Sequence, residues 1–112
     1  MFRRENVPSP IDPSDPAKLV EAVVLWTGYG RTASPHRIDS ILIQRFGPEI
    51  GNELLAAVKL LEDQFYRSDA RFAASNLHEM GKMCAEQFRN TNPGVAEEVV
   101  RAFAWCYTFD FK

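Results

Sequence analysis

Residues Phe103, Ala104, Trp105, Cys106, Tyr107, Thr108, Phe109, Asp110, Phe111 and Lys112 place an aromatic at every second position. Whether this stretch is helix or strand decides the fold class. As a strand, Phe103, Trp105, Tyr107, Phe109 and Phe111 would all share one face. A strand needs a pairing partner, and no other segment of the chain reads as one. As a helix, Phe103 and Tyr107 fall on one side, with Trp105 and Phe109 on another. The stretch is therefore read as helix to about Thr108 followed by an aromatic coil. The alternative is a strand added to another chain, which would be an interaction device. The sequence holds two Trp, three Tyr and eight Phe, and five of these thirteen aromatics lie in its last tenth. Chain ends fray unless something ties them down, so this one is expected to dock on a core or a partner.

The segments before it carry helical spacing throughout. Val95, Val99, Val100, Phe103 and Tyr107 form one stripe, preceded by the turn-forming run Asn90, Thr91, Asn92, Pro93, Gly94. Asn92 is the expected cap of this fifth helix, with Pro93 at its first position. A fourth helix, capped by Ser68 or Asp69, has the stripe Ala73, Leu77, Met80, Cys84 and Phe88. Gly81 lies inside it and costs about 1 kcal/mol relative to Ala; close approach of another helix would account for it. A third helix opens at Pro48 and carries Ile50, Leu54, Val58, Leu61 and Phe65, with Leu55 and Leu60 widening the face. A second is expected from Ser34 as cap and Pro35 at the first position, through Ile38, Ile41, Leu42 and Phe46, to a stop at Gly47. The first starts at Asp15 and Pro16, buries Leu19, Val20, Val23, Val24 and Trp26, and ends at Gly28 and Gly30. Residues 1–14 contain Pro8, Pro10 and Pro13, which block helix and ladder pairing, and read as an extended arm. The expectation is all-α: an N-terminal arm over 1–14 and one compact bundle of about five helices over 15–112.

Composition narrows the function classes. A chain of 112 residues fits one domain near the commonest size and can build a core without metal or disulfide staples. The net charge of −2 is less basic than a general polyanion binder needs. Cys84 and Cys106 are the only cysteines and read as buried thiols rather than a bridge. No apolar run reaches the roughly 18 residues of a membrane span. The opening residues have no apolar core of a signal peptide. A cytoplasmic protein is expected.

Chemical motifs fail one by one. His78 and Glu79 begin a zinc-protease helix pattern, but Lys82 stands where the second His ligand is required. His36 and Asp39, three apart, could be neighbours on a helix, although no nucleophile accompanies them. Gly28, Tyr29, Gly30, Arg31, Thr32 and Ala33 echo a dinucleotide fingerprint, yet they follow a helix where that motif follows a strand. Neither His has Glu three residues before it, and no paired-cysteine spacing exists, so no metal or cofactor is expected. A helix-turn-helix across Gly47 and Pro48 would present an acidic second helix, with Glu49, Glu53, Glu62 and Asp63, which is the wrong sign for a DNA groove.

The function expected is that of a small non-catalytic protein-protein interaction module, such as an adaptor, an inhibitor or immunity-type protein, or an assembly factor. The alternatives are a helix-turn-helix-like DNA regulator and a small hydrolase-like enzyme using His36/Asp39 or His78/Glu79. Aromatics and Arg anchor interfaces, so Tyr29, Arg31, Trp105, Phe109 and Phe111 are the expected contact residues. The partner would be another protein or a second copy of this chain. Nucleic acid is disfavoured, and no membrane partner is expected.

Overall fold

The computed structural model describes residues 15–112, and the arm inferred for 1–14 lies outside them. The described residues form a compact all-α globule with no strand among them. Five main helices and one single-turn helix follow in the order α1 Pro16–Thr27, α2 Asp39–Phe46, α3 Pro48–Phe65, α4 Ala70–Ala73, α5 Leu77–Thr91 and α6 Glu97–Asp110. Two helical hairpins, α2/α3 and α5/α6, are bridged by α1, which packs on α6, α3 and α2.

The core is built where the apolar stripes converge. Trp26, Leu42, Leu54, Phe65, Phe103 and Tyr107 are all essentially inaccessible to solvent. Phe65 sits among three other rings, with centroids 4.9 Å from Phe88, 5.8 Å from Phe103 and 6.0 Å from Tyr107. These separations suit tilted and edge-on aromatic packing, so the ends of α3, α5 and α6 meet on one aromatic cluster. The aromatic stretch is helix through Asp110, two residues beyond the expected end. Its period of 3.6 splits the alternating aromatics: Phe103 and Tyr107 enter the core, while Phe109 stays exposed on another flank.

Three helix starts differ from the sequence reading. Asp15 caps α1 as expected, its carboxylate accepting from Ala17 N at 3.0 Å. Ser34 and Pro35 do not open α2. Residues 35–38 lie outside any helix, and His36 N donates to Thr27 O at 3.0 Å, folding the chain back along the end of α1. The fourth helix is broken. After the single turn of α4, Asn76 caps α5 by accepting from Glu79 N at 2.8 Å, and the Glu79 carboxylate reaches back to Ser75 N at 3.2 Å. This is a reciprocal arrangement close to a capping box, and it outcompetes continuation through Ser75. Asn92 and Pro93 form a turn closed by Val95 N on Asn92 O at 3.2 Å, with Gly94 at φ 91°. Pro followed by a left-handed Gly suits that turn, and α6 starts only at Glu97.

Of the two glycines inside described helices, Gly51 and not Gly81 makes the tight approach to a neighbouring helix. A methyl on Gly51 would lie 2.6 Å from Leu42 O and 2.8 Å from Ile43 Cα, both backbone atoms of α2. On Gly81 it would lie 3.4 Å from Thr108 Cγ2, an ordinary contact. Gly51→Ala is therefore expected to destabilise the fold by about 1–3 kcal/mol through overpacking. Gly81→Ala is expected to stabilise it by up to about 1 kcal/mol through helix propensity. Urea denaturation of both variants tests this, and equal effects would contradict the packing described.

Candidate functional site

The residues that sequence reading paired as catalytic candidates are each engaged elsewhere. Gly28, at φ 81°, turns the chain out of α1 and leaves room for the His36 ring, whose Nε2 would lie 2.7 Å from an added methyl. The other ring nitrogen, Nδ1, is 3.0 Å from Trp26 O. Asp39 accepts instead from Trp26 Nε1 at 2.9 Å and from Lys59 Nζ at 2.9 Å. His36 and Asp39 thus grip opposite ends of one tryptophan, its carbonyl and its indole, and do not form an acid–base pair. Glu79 serves the α5 cap, while His78 is exposed beside it. Among the described residues, no three His, Cys, Asp or Glu side chains converge as a metal site.

A polar clamp without any signature in residue spacing joins three distant segments. Arg37 Nε donates to Glu62 at 2.5 Å, and its Nη2 donates to Asp110 and to Tyr66 Oη, each at 2.9 Å. Tyr66 in turn donates to the same Asp110 oxygen at 2.6 Å. Burial works against the charged guanidinium, but the Glu62 hydrogen bond and the neighbouring negative charge outweigh it and raise its pKa. Burial and the Asp110 bond raise the Tyr66 phenol as well. With both carboxylates bonded to one planar fork, this cluster ties 31–38, α3 and the end of α6 together. The separations of 25 and 73 residues explain why spacing could not reveal it.

The two thiols are free and buried. Burial pushes Cys84 up to about 11 and Cys106 up to about 12. Both are protonated at neutral pH and poor nucleophiles.

An open groove of about 620 Å³ runs along the outer seam of the α5/α6 hairpin. Its floor is made of small residues, Gly81, Ala85 and Ala104, and its apolar wall is Leu77, Trp105 and Phe109. Lys82 and Lys112 stand on its rim, with the Lys112 ammonium 4.2 Å from the Phe109 ring centroid. Arg89 also lines it and is held by Glu97. Leu77 and Phe109 are among the exposed large apolar residues of the described chain. A second cavity, about 390 Å³, lies between α3 and α5. Its lining includes Gln64, whose Oε1 is buried without a partner, and Ser68 and Gln87, which bond to each other.

Of the five expected contact residues, the structure gathers three. Trp105 and Phe109 line the groove, and Tyr29 packs behind Trp105 with ring centroids 5.7 Å apart. Arg31 is exposed on the turn after α1. Phe111 lies on a different flank of α6, 4.8 Å from the Tyr107 ring and 5.9 Å from that of Tyr66. There the Arg71 guanidinium lies 4.7 Å from the Phe111 ring and equally close to Phe72, a side chain 79% exposed. Sequence reading missed Leu77 and Phe72 as exposed groups. Leu77 fits the core stripe of the fourth helix by spacing, but it is the first residue of α5 and is left exposed there.

No match was found among protein-family models, curated proteins or solved structures.

The Trp26 hydrogen bond, then the Lys59 bond, hold the Asp39 carboxyl below its ordinary 3.8. A carboxyl whose folded pKa is depressed contributes stability above its unfolded value and loses it as pH falls through the folded one. The Trp26 indole N–H signal in NMR is therefore expected to titrate with a midpoint below 3.8. In Asp39→Asn that titration is expected to vanish, and the loss of stability on acidification below about pH 4 to be shallower. A midpoint above 3.8, or an unchanged acid profile in the variant, would contradict the assignment.

Proposed function

We propose that this chain is a small protein-protein interaction module whose contact face is the α5/α6 groove. One observation carries the reading: Leu77 and Phe109 are left exposed beside the half-buried Trp105 in the open α5/α6 groove. Exposed apolar side chains scattered singly are ordinary, whereas ones gathered in a concave patch mark a contact surface. Trp is also the residue type most enriched among interface hot spots. Adaptor, inhibitor or immunity-type protein, and assembly factor all fit such a face. Protein is favoured over DNA because Arg37 and Arg45 are committed to carboxylates, Arg37 to Glu62 and Asp110 and Arg45 to Glu21. It is favoured over catalysis because His36 and Asp39 hold the tryptophan between them and Glu79 holds a helix cap. No helix of the described residues is long and apolar enough to cross a membrane. Free buried thiols suit a reducing compartment such as the cytoplasm.

Site-specific photocrosslinking in the native host tests the reading. A photoreactive side chain at Phe109 is expected to capture a discrete protein, whereas one at the exposed Glu53 on α3 is not. Absence of any adduct from Phe109, or the same products from both positions, would overturn it.

A further inference from the structure

We infer that the α5/α6 groove takes an acidic amphipathic helix of a partner protein. The inference rests on the interaction-module reading above and adds the chemistry of the partner.

Shape comes first. Two helices joined by a short loop leave a crease between them, and its floor here consists of Gly81, Ala85 and Ala104. Small side chains along such a crease let a third helix approach closely. From Leu77 to Arg89 the groove follows twelve residues of α5, about 18 Å, which matches about three turns of a partner helix. An extended strand would need an open sheet edge, and the described residues contain no strand. The walls supplied by Leu77, Trp105 and Phe109 suit apolar anchors at the i, i+3/i+4 and i+7 positions of an incoming helix.

Charge selects the occupant. The chain is acidic overall, at −2, yet the groove lining holds Lys82, Arg89 and Lys112 against the single carboxylate of Glu86. Glu97 engages Arg89, which leaves Lys82 on α5 and Lys112, just beyond the end of α6, against Glu86, so the lining keeps a net positive charge. Glu or Asp on the two shoulders of a partner helix would meet these ammonium groups. A second copy docking by two-fold symmetry would place the same rim against itself, and like charges would oppose it. A nucleic acid would gain two to three cations in a lining that is mainly apolar, too little for a phosphate-tracking surface.

The test is selection of a helical peptide library against the full chain. The library carries Leu or Phe at the anchor positions and varies the flanking positions among Glu, Gln and Lys. Binders enriched in Glu are expected, with amide shifts confined to the lining of α5 and α6. Their affinity is expected to fall by about twofold to thirtyfold, the effect of two exposed ion pairs, in the double variant Lys82→Glu, Lys112→Glu. That variant alters only exposed side chains, and its melting curve checks that it is folded. Enrichment of Lys or Gln, no enrichment, unaltered affinity in the variant, or displacement of the peptides by random duplex DNA would each overturn the inference. A protein adduct from Phe109 together with any of these outcomes would leave the interaction reading standing and remove only the acidic helix.

Discussion

The burial of Tyr107 is the constraint around which the molecule is arranged. Its ring has no solvent access, and its hydroxyl donates to Ser68 O at 2.9 Å while accepting from Arg71 N at 3.0 Å. A buried phenol without such partners would cost on the order of 1–3 kcal/mol. Here one side chain of α6 satisfies backbone groups on either side of the start of α4. The same ring packs 5.3 Å from Tyr66 and 4.8 Å from Phe111. Docking of α6 therefore fixes the α3–α4 connection, orients Tyr66, and brings Asp110 to Arg37.

The rotation of α6 follows from that anchor. With Phe103 and Tyr107 inward, Trp105 and Phe109 must point away from the α3 side of the core, because neighbours two apart on a helix diverge. Trp105 is half covered by Tyr29, whereas Phe109 is left at the seam with α5. The groove is thus a by-product of the core's own geometry. The Arg37 clamp acts on the same helix from its far end and holds the last turn against fraying.

The fold class and the core stripes were legible because helical spacing is a local property. Ile50, Leu54, Val58 and Phe65 declare a face of α3 from their own spacing, and the Asp15 and Pro16 start of α1 is equally local. Caps were less so. Ser34 with Pro35 and Asn92 with Pro93 carry the residue types of helix starts, but long-range bonds overrode one and a left-handed Gly94 the other. Ser75 with Asn76 hid a helix interruption, since Glu79 completes the α5 cap from beyond the break. The candidate site was half legible. The aromatic pair Trp105 and Phe109 stood out by type, whereas Leu77 and the small floor acquire meaning only when α5 lies beside α6. The Arg37 network spans too much sequence for any spacing rule to reach.

Native-state hydrogen exchange of α6 measures the central claim most directly. If Tyr107 anchors the helix, the amides of Phe103, Cys106 and Tyr107 should exchange only through global unfolding, with a free energy equal to that from urea denaturation. Replacing Tyr107 with Phe should lower both values together. Exchange of these amides well below the global free energy would show that α6 detaches on its own, and would contradict an architecture built on its docking.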